Sequence, residues 1–279
     1  MNVRSSRCTI DQGGTAPREG GWSHRASRGW RLLGTAFGFG ALGVASLLLA
    51  VVVLPALGVL PGTRERKEVR AQRTLHWSIR AYLRVLRLLG VLRVRATGAE
   101  RLRRPGILVV ANHPTLIDAL VLVSLMPQAD CIVKARYSDH PLFGGVARAA
   151  GYIPAGDGVE VVATAVERLV RGRSLIIFPE GTRSPVKGLG PFLRGAAHIA
   201  LRAGCDPIPV VIRCEPPTLH HGQRWWDVPE RRFELNLHVG EPLRVKGAVG
   251  DRTSRSQAAR ALTQSIHDHF TRYLALVDS

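Results

Sequence analysis

A chain of 279 residues with 46% apolar side chains can bury a sizeable core, in one large domain or one domain with an appendage. Charge is the unusual quantity: 39 Lys and Arg against 21 Asp and Glu leave a net +18, which calls for an anionic partner such as nucleic acid, a membrane surface or a phosphorylated ligand. The four cysteines (Cys8, Cys131, Cys205, Cys214) show no C-x-x-C or finger spacing, which argues against a disulfide framework or a zinc site and fits a reducing compartment.

Residues 1–28 are rich in Gly, Ser and Arg without hydrophobic periodicity and are expected to form a disordered basic tail. The next segment, 29–62, contains Leu32–Leu60, 29 residues without one charged side chain. A membrane span needs roughly 20 apolar residues. The segment is too long, and starts too far from Met1, for a signal-peptide core, so its retention is expected. Arg18, Arg25, Arg28 and Arg31 precede it, whereas Arg64, Arg66, Lys67, Arg70, Arg73 and Arg80 follow it. The basic excess after the segment places the C-terminal side in the cytoplasm, at the inner membrane. Gly38, Gly40, Gly43, Pro55 and Gly58 also suit a broken helix that dips in and returns, so both a span and a re-entrant hairpin stand open.

Residues 63–92 predict an amphipathic helix. Val69, His76, Ile79, Leu83, Leu86 and Gly90 share helical spacing, and Arg73, Arg80, Arg84 and Arg87 share another face with Trp77. Such a face suits anionic lipid as well as solvent. From 93 to 250 strands and helices alternate. The predicted strands are Arg93–Thr97, Ile107–Ala111, Cys131–Ala135, Ser174–Phe178, Pro207–Arg213 and Phe233–Val239. The predicted helices are Thr115–Met126, Leu142–Ala150, Val159–Arg171 and Gly195–Ala203, with a C-terminal helix Ser254–Ala275 in the segment 251–279. The pattern predicts an α/β fold, a mostly parallel sheet flanked by helices.

Two strand ends carry candidate chemistry. After Ile107–Ala111 come Asn112-His113-Pro114 and, five residues beyond the His, Asp118. With His113 on the turn and Asp118 on the following helix, the carboxylate can hold one ring nitrogen and leave the other to take a proton. A second reading has His113 as a helix cap and Asp118 in solvent. The second strand end is Phe178-Pro179-Glu180-Gly181-Thr182-Arg183-Ser184. There Gly181 lets backbone approach a ligand, Arg183 offers a fork for oxyanions, and Glu180 can position Arg183 or accept from a ligand hydroxyl. His220-His221, near Glu215 and Asp227, reads as a polar loop and not a metal site, and Trp225-Trp226 as a packed pair or an interfacial anchor.

The pair of blocks, Asn112-His113-Pro114-Thr115-Leu116-Ile117-Asp118 and Phe178-Pro179-Glu180-Gly181-Thr182-Arg183-Ser184, resembles the glycerolipid acyltransferase family, with Ile208-Pro209-Val210-Val211-Ile212 as a weaker third block. The resemblance implies acyl transfer from acyl-CoA or an acyl carrier protein to the hydroxyl of a lysophospholipid such as 1-acyl-glycerol-3-phosphate, with no cofactor and no metal. It makes His113 the general base and Asp118 its orienting partner. Glu180, Gly181, Thr182 and Arg183, with Lys134 and Asn112, become the substrate-binding set. The oxyanion donors are sought among backbone N–H groups after Pro114. One departure stands out: after Gly151-Tyr152-Ile153 the family usually carries an Arg, and here the run is Pro154-Ala155-Gly156-Asp157-Gly158. That keeps open a non-glycerophosphate acceptor, such as a specialised or pigment lipid. A non-catalytic basic membrane-binding module is the alternative from another class, and the apolar segment disfavours nucleic acid as partner.

Overall fold

The computed structural model describes residues 21–138, 140, 143–220, 222–224, 226–227, 229, 231–245 and 254–278. Seven strands form one sheet: β1 (Leu92–Thr97), β2 (Leu108–Ala111), β3 (Asp130–Lys134), β4 (Ile153–Ala155), β5 (Leu175–Ile177), β6 (Ile208–Glu215) and β7 (Phe233–Val239), in the order β1-β7-β6-β2-β5-β3-β4. Every neighbouring pair is parallel except β6 and β7. The mostly parallel α/β sheet is therefore as the alternating pattern implied. All four residues of β2 are buried, because helices cover both faces of a parallel sheet and a central strand meets no water.

Nine helices are described: α1 (Gly21–Leu48), α2 (Leu54–Val59), α3 (Arg64–Leu88), α4 (Asp118–Leu125), α5 (Ala135–Ser138), α6 (Gly144–Ala149), α7 (Gly158–Val170), α8 (Gly195–Ala203) and α9 (Arg255–Asp278). One sheet face packs on Leu83 and Leu86 of α3 and Val121 and Leu122 of α4. The other packs on Val162 and Ala165 of α7, Ile199 of α8, and Leu262, Ile266 and Phe270 of α9.

Several expectations need correction. The N-terminal helix already starts at Gly21, so 21–28 are helical and not part of an irregular tail; residues 1–20 lie outside the described ones. A π-helical turn, Leu49–Val53, joins α1 to α2, and the flanking Leu48 and Leu54 keep right-handed helical dihedrals. No reversal occurs between Gly21 and Val59, so the hairpin alternative is not what the chain adopts. Gly38 does not break the helix. A Cβ there would lie 2.7 Å from Leu86 Cδ2, and one at Gly34 2.8 Å from Val91 Cγ2. The two glycines, one turn apart, let α1 lie close against the end of α3, where the Trp30 Nε1–H also donates to Leu89 O at 3.0 Å.

Two short elements, β4 and α5, were not foreseen; three or four residues carry too little periodicity to register. Gly90 lies beyond the end of α3. The predicted helix Leu142–Ala150 is Gly144–Ala149, with Leu142 outside the described residues. On α3 the buried face carries Ala71, Leu75, Leu83 and Leu86, but also Glu68, Gln72 and His76. Arg73, Trp77, Arg84 and Arg87 are exposed, as the spacing required.

Candidate active site

The carboxyl ends of β2 and β5, hydrogen-bonded neighbours with Val110 opposite Ile177, bring the two motifs together. This is where open α/β sheets bind ligands, since the loops leaving adjacent strands diverge there. His113 lies two residues past β2 and Glu180 three past β5.

Asp118 does two things at once. Its Oδ2 accepts from His113 Nδ1 at 2.9 Å and from the Thr115 backbone N–H at 2.6 Å, while Oδ1 accepts from Thr115 Oγ1–H at 2.5 Å. Thr115 Oγ1 in turn accepts from the Ile117 N–H at 3.3 Å. These bonds close the turn 115–117 that leads into α4, whose first residue is Asp118. Regular helix therefore starts at Asp118 and not at the expected Thr115. Of the two readings of the His-x4-Asp spacing, the one with Asp118 in solvent is not what the chain adopts: the Asp118 side chain is fully buried and bonded to His113.

A carboxylate surrounded by donors fixes the imidazole tautomer: Nδ1 carries the proton and Nε2 is the basic nitrogen. The ring stacks on Phe178, with centroids 4.3 Å apart and planes 25° from parallel. Its side chain retains 20% exposure, and Nε2 has no protein partner among the described residues.

The backbone of His113 is held as firmly. Its N–H lies 3.2 Å from Glu180 Oε1 and 3.1 Å from Ser184 Oγ, and its carbonyl accepts from the Ser184 N–H at 2.7 Å. Ser184 Oγ–H donates to Glu180 Oε1 at 2.5 Å, and the Gly190 N–H donates to Glu180 Oε2 at 2.8 Å. Gly181 has φ 63°, left-handed backbone, and a Cβ there would meet Leu193 Cδ1 at 2.9 Å. The residue type at 181 is therefore set by both the turn and the crowding.

The remaining predicted site residues are spread more widely. The Asn112 amide forms a closed pair with β6, Nδ2 donating to Ile212 O at 2.8 Å and Oδ1 accepting from the Ile212 N–H at 2.7 Å. That contact ties the strand ends together and occupies both ends of the amide. Arg183 Nη1 donates to Leu219 O at 2.9 Å and His220 O at 3.0 Å. Its Nε and Nη2 have no protein partner among the described residues. Lys134 ends β3, the next strand beyond β5, and is half-buried; Thr182 is exposed on the turn.

The backbone N–H groups of residues 115–117 are already used, by Asp118 for Thr115, by Leu219 O for Leu116 at 3.2 Å and by Thr115 Oγ1 for Ile117. Within that turn they leave no free donor for an oxyanion. Of the paired histidines, His220 offers its carbonyl to Arg183, and His221 lies outside the described residues, as does Trp225. Trp226 is exposed beneath the Arg224 guanidinium at 5.5 Å.

The sequence reading missed Thr115, Ser184 and Leu219. Thr115 sits inside the first block and Ser184 inside the second. Leu219 gave none, because its role is a backbone carbonyl held at φ 55°. The three described cysteines are poor candidates for a nucleophile. Burial pushes the Cys131 and Cys214 thiols up to about 12 and the Cys205 thiol up to about 11. Asp157, the acid in the run that departs from the family pattern, caps α7: its Oδ1 accepts from the Val159 N–H at 2.9 Å.

Comparison with known proteins agrees with this geometry. Residues 93–213 match the model of the family described as Acyltransferase. A 1-acyl-sn-glycerol-3-phosphate acyltransferase of Cocos nucifera is 35% identical over 112 residues, which cover 37% of this chain and 36% of that protein. The chain thus spans little more than a third of that relative. The human 1-acyl-sn-glycerol-3-phosphate acyltransferase alpha is 26% identical over 220 residues, covering 74% of this chain and 71% of its own length. In fold, the chain resembles the crystal structure of the 1-acyl-sn-glycerophosphate acyltransferase PlsC from Thermotoga maritima, with a TM-score of 0.64 and 22% identity, covering 88% of this chain and 97% of that one.

Proposed function

We propose that this chain, whose residues 93–213 match the acyltransferase family model, is a membrane-bound acyltransferase that moves a fatty acyl group from a thioester of CoA or of an acyl carrier protein to the free hydroxyl of a 1-acyl-glycerol-3-phosphate. The observation that carries the reading is the His113–Asp118 pair, 2.9 Å apart, with the ring fixed on Phe178 and Nε2 left over. His113 Nε2 takes the acceptor's hydroxyl proton as the oxygen bonds to the thioester carbonyl carbon. The resulting imidazolium is stabilised by the buried Asp118 carboxylate. Collapse of the tetrahedral adduct breaks the C–S bond, and the proton returns to the departing thiolate, leaving an ester and a free thiol. General-base help of this kind supplies roughly 10²–10⁴-fold. No group of the protein becomes covalently acylated.

Arg183 Nε and Nη2, with the Lys134 ammonium, are the proposed partners of the acceptor phosphate. The exposed apolar helix Gly29–Val59, long enough to cross a membrane, and the exposed Arg and Trp face of α3 support binding to anionic lipid at the inner membrane, with the site facing the cytoplasm. A second reading keeps the chemistry and replaces the acceptor by a lipid alcohol without phosphate. It is favoured by the use of the 154–158 run for a helix cap, Asp157, in place of a base.

The test is incubation of the purified protein in lipid with labelled acyl-CoA and acyl-carrier-protein donors and a panel of lipid alcohols including lysophosphatidic acid, with products identified by mass. His113→Ala is expected to lower the rate by at least ~10²-fold. Absence of transfer from every thioester, or full activity in His113→Ala, overturns the reading. Preference for an alcohol without phosphate selects the second acceptor.

A further inference from the structure

Glu180 sits in the block whose resemblance implies acceptor binding, yet its surroundings point elsewhere. The residue is 7% exposed. Both oxygens accept from protein groups: Oε1 from the Ser184 hydroxyl and the His113 N–H, Oε2 from the Gly190 N–H. No ion pair forms with Arg183, whose Nη1 turns instead to the Leu219 and His220 carbonyls. A buried carboxylate tolerates loss of water only where donors replace it, and hydrogen bonds to a charged group are the stronger kind. Glu180 thus links three pieces of chain: the turn that carries His113, the strand end that carries Ser184, and the returning loop at Gly190.

The last contact is tight as well as polar, since a Cβ at Gly190 would lie 3.0 Å from Glu180 Oε2. Ser184 closes the arrangement from the other side, 2% exposed, by bonding both the N–H and the carbonyl of His113. Asp118 fixes one edge of the imidazole. Its Cα, and hence the direction of Nε2, is fixed by Ser184 and Glu180.

We propose that Glu180 and Ser184 are positioning residues that hold the His113 backbone in register with Asp118, and that Glu180 does not bind the acceptor. The proposal rests on the acyl-transfer reading above. It differs in what it predicts: a positioning brace acts on kcat, whereas an acceptor ligand acts on the KM for the acceptor.

Three substitutions perturb the brace in different ways. Glu180→Gln keeps the shape but turns an NH2 group towards at least one of the donors. Ser184→Ala removes the hydroxyl and leaves the carboxylate. Gly190→Ala leaves both and crowds Oε2. Each is expected to lower kcat by about 10- to 100-fold, in the range of a displaced general base, with the acceptor KM within about twofold of wild type. The Glu180→Gln/Ser184→Ala double variant is expected to lose little more than either alone, because the two act as one unit. A tenfold rise in acceptor KM at unchanged kcat for Glu180→Gln, with Ser184→Ala and Gly190→Ala like wild type, overturns the proposal. If Glu180→Gln fails to fold, as judged by circular dichroism, the KM and kcat of Ser184→Ala and Gly190→Ala decide alone. An inactive wild type defeats the acyl-transfer reading itself; an active wild type with indifferent brace variants defeats only this inference.

Discussion

At the scale of single residues, one polar atom commonly serves two purposes. Asp118 Oδ2 accepts from both the Thr115 N–H and His113 Nδ1, and Thr115 Oγ1 accepts from the Ile117 N–H while its own proton goes to Asp118. The turn before α4 and the placement of the His113 ring are therefore one structure, and neither can be altered alone. His269 on α9 shows the opposite case, a buried Nε2 without a partner. Burial first, then the nearby charges of Arg272 on the same helix and His238 on β7, lower its affinity for a proton. A base whose folded pKa is depressed contributes stability above its unfolded value of about 6.5 and loses it as pH falls below that. The melting temperature is therefore expected to drop between pH 7 and pH 5 more steeply in wild type than in His269→Asn, measured by thermal unfolding in one detergent.

At the scale of elements, α3 is fastened to the catalytic sheet by charges that helical periodicity does not announce. Asp130 at the start of β3 accepts from Gln72 Nε2 of α3 at 2.9 Å and from Arg168 Nη1 of α7 at 3.0 Å. Arg173 adds Nε at 2.8 Å and Nη2 at 2.5 Å. Arg173 Nη1 continues to Glu68 Oε2 of α3 at 2.7 Å. Asp130 is fully buried, and Arg173 nearly so. Removing one member of such a cluster leaves the others charged and unpaired, at a cost of about 3–5 kcal/mol. Asp130→Ala is expected to lose stability of that size in denaturant unfolding, with kcat of the remaining folded protein close to wild type, since the cluster lies at the strand ends remote from His113. A loss of kcat without loss of stability would contradict that separation.

At the scale of the whole molecule, the site sits at the strand ends of the sheet, while α1 and α2 expose apolar side chains and α3 exposes basic ones. Arg84 and Arg87 are exposed on α3, near the Trp77 ring that carries the Arg80 guanidinium at 5.4 Å. Near an anionic lipid surface each basic residue contributes about 1 kcal/mol, and salt weakens it within a Debye length. Arg84→Gln/Arg87→Gln is expected to reduce turnover of vesicle-borne acceptor at low salt. The deficit should vanish as salt rises or when the anionic lipid is omitted. A deficit independent of both would place those arginines in the domain's packing and not at the bilayer.

The linear order of residues was enough for the sheet, for both strand-end motifs and for the pairing of His113 with Asp118, because a parallel α/β fold writes itself as alternating apolar runs and sets its functional loops directly after them. The length and apolar character of 29–62 were equally legible. What tertiary structure alone decided is which partner each polar atom takes. Glu180, Asn112 and the N–H groups of residues 115–117 are all of the right type to meet a substrate. They meet instead Ser184 and Gly190, Ile212, and the Asp118–Thr115–Leu219 set. Periodicity reports only which face a residue occupies. The bonds that fill a buried site join segments up to 100 residues apart, and only the assembled sheet brings those within reach.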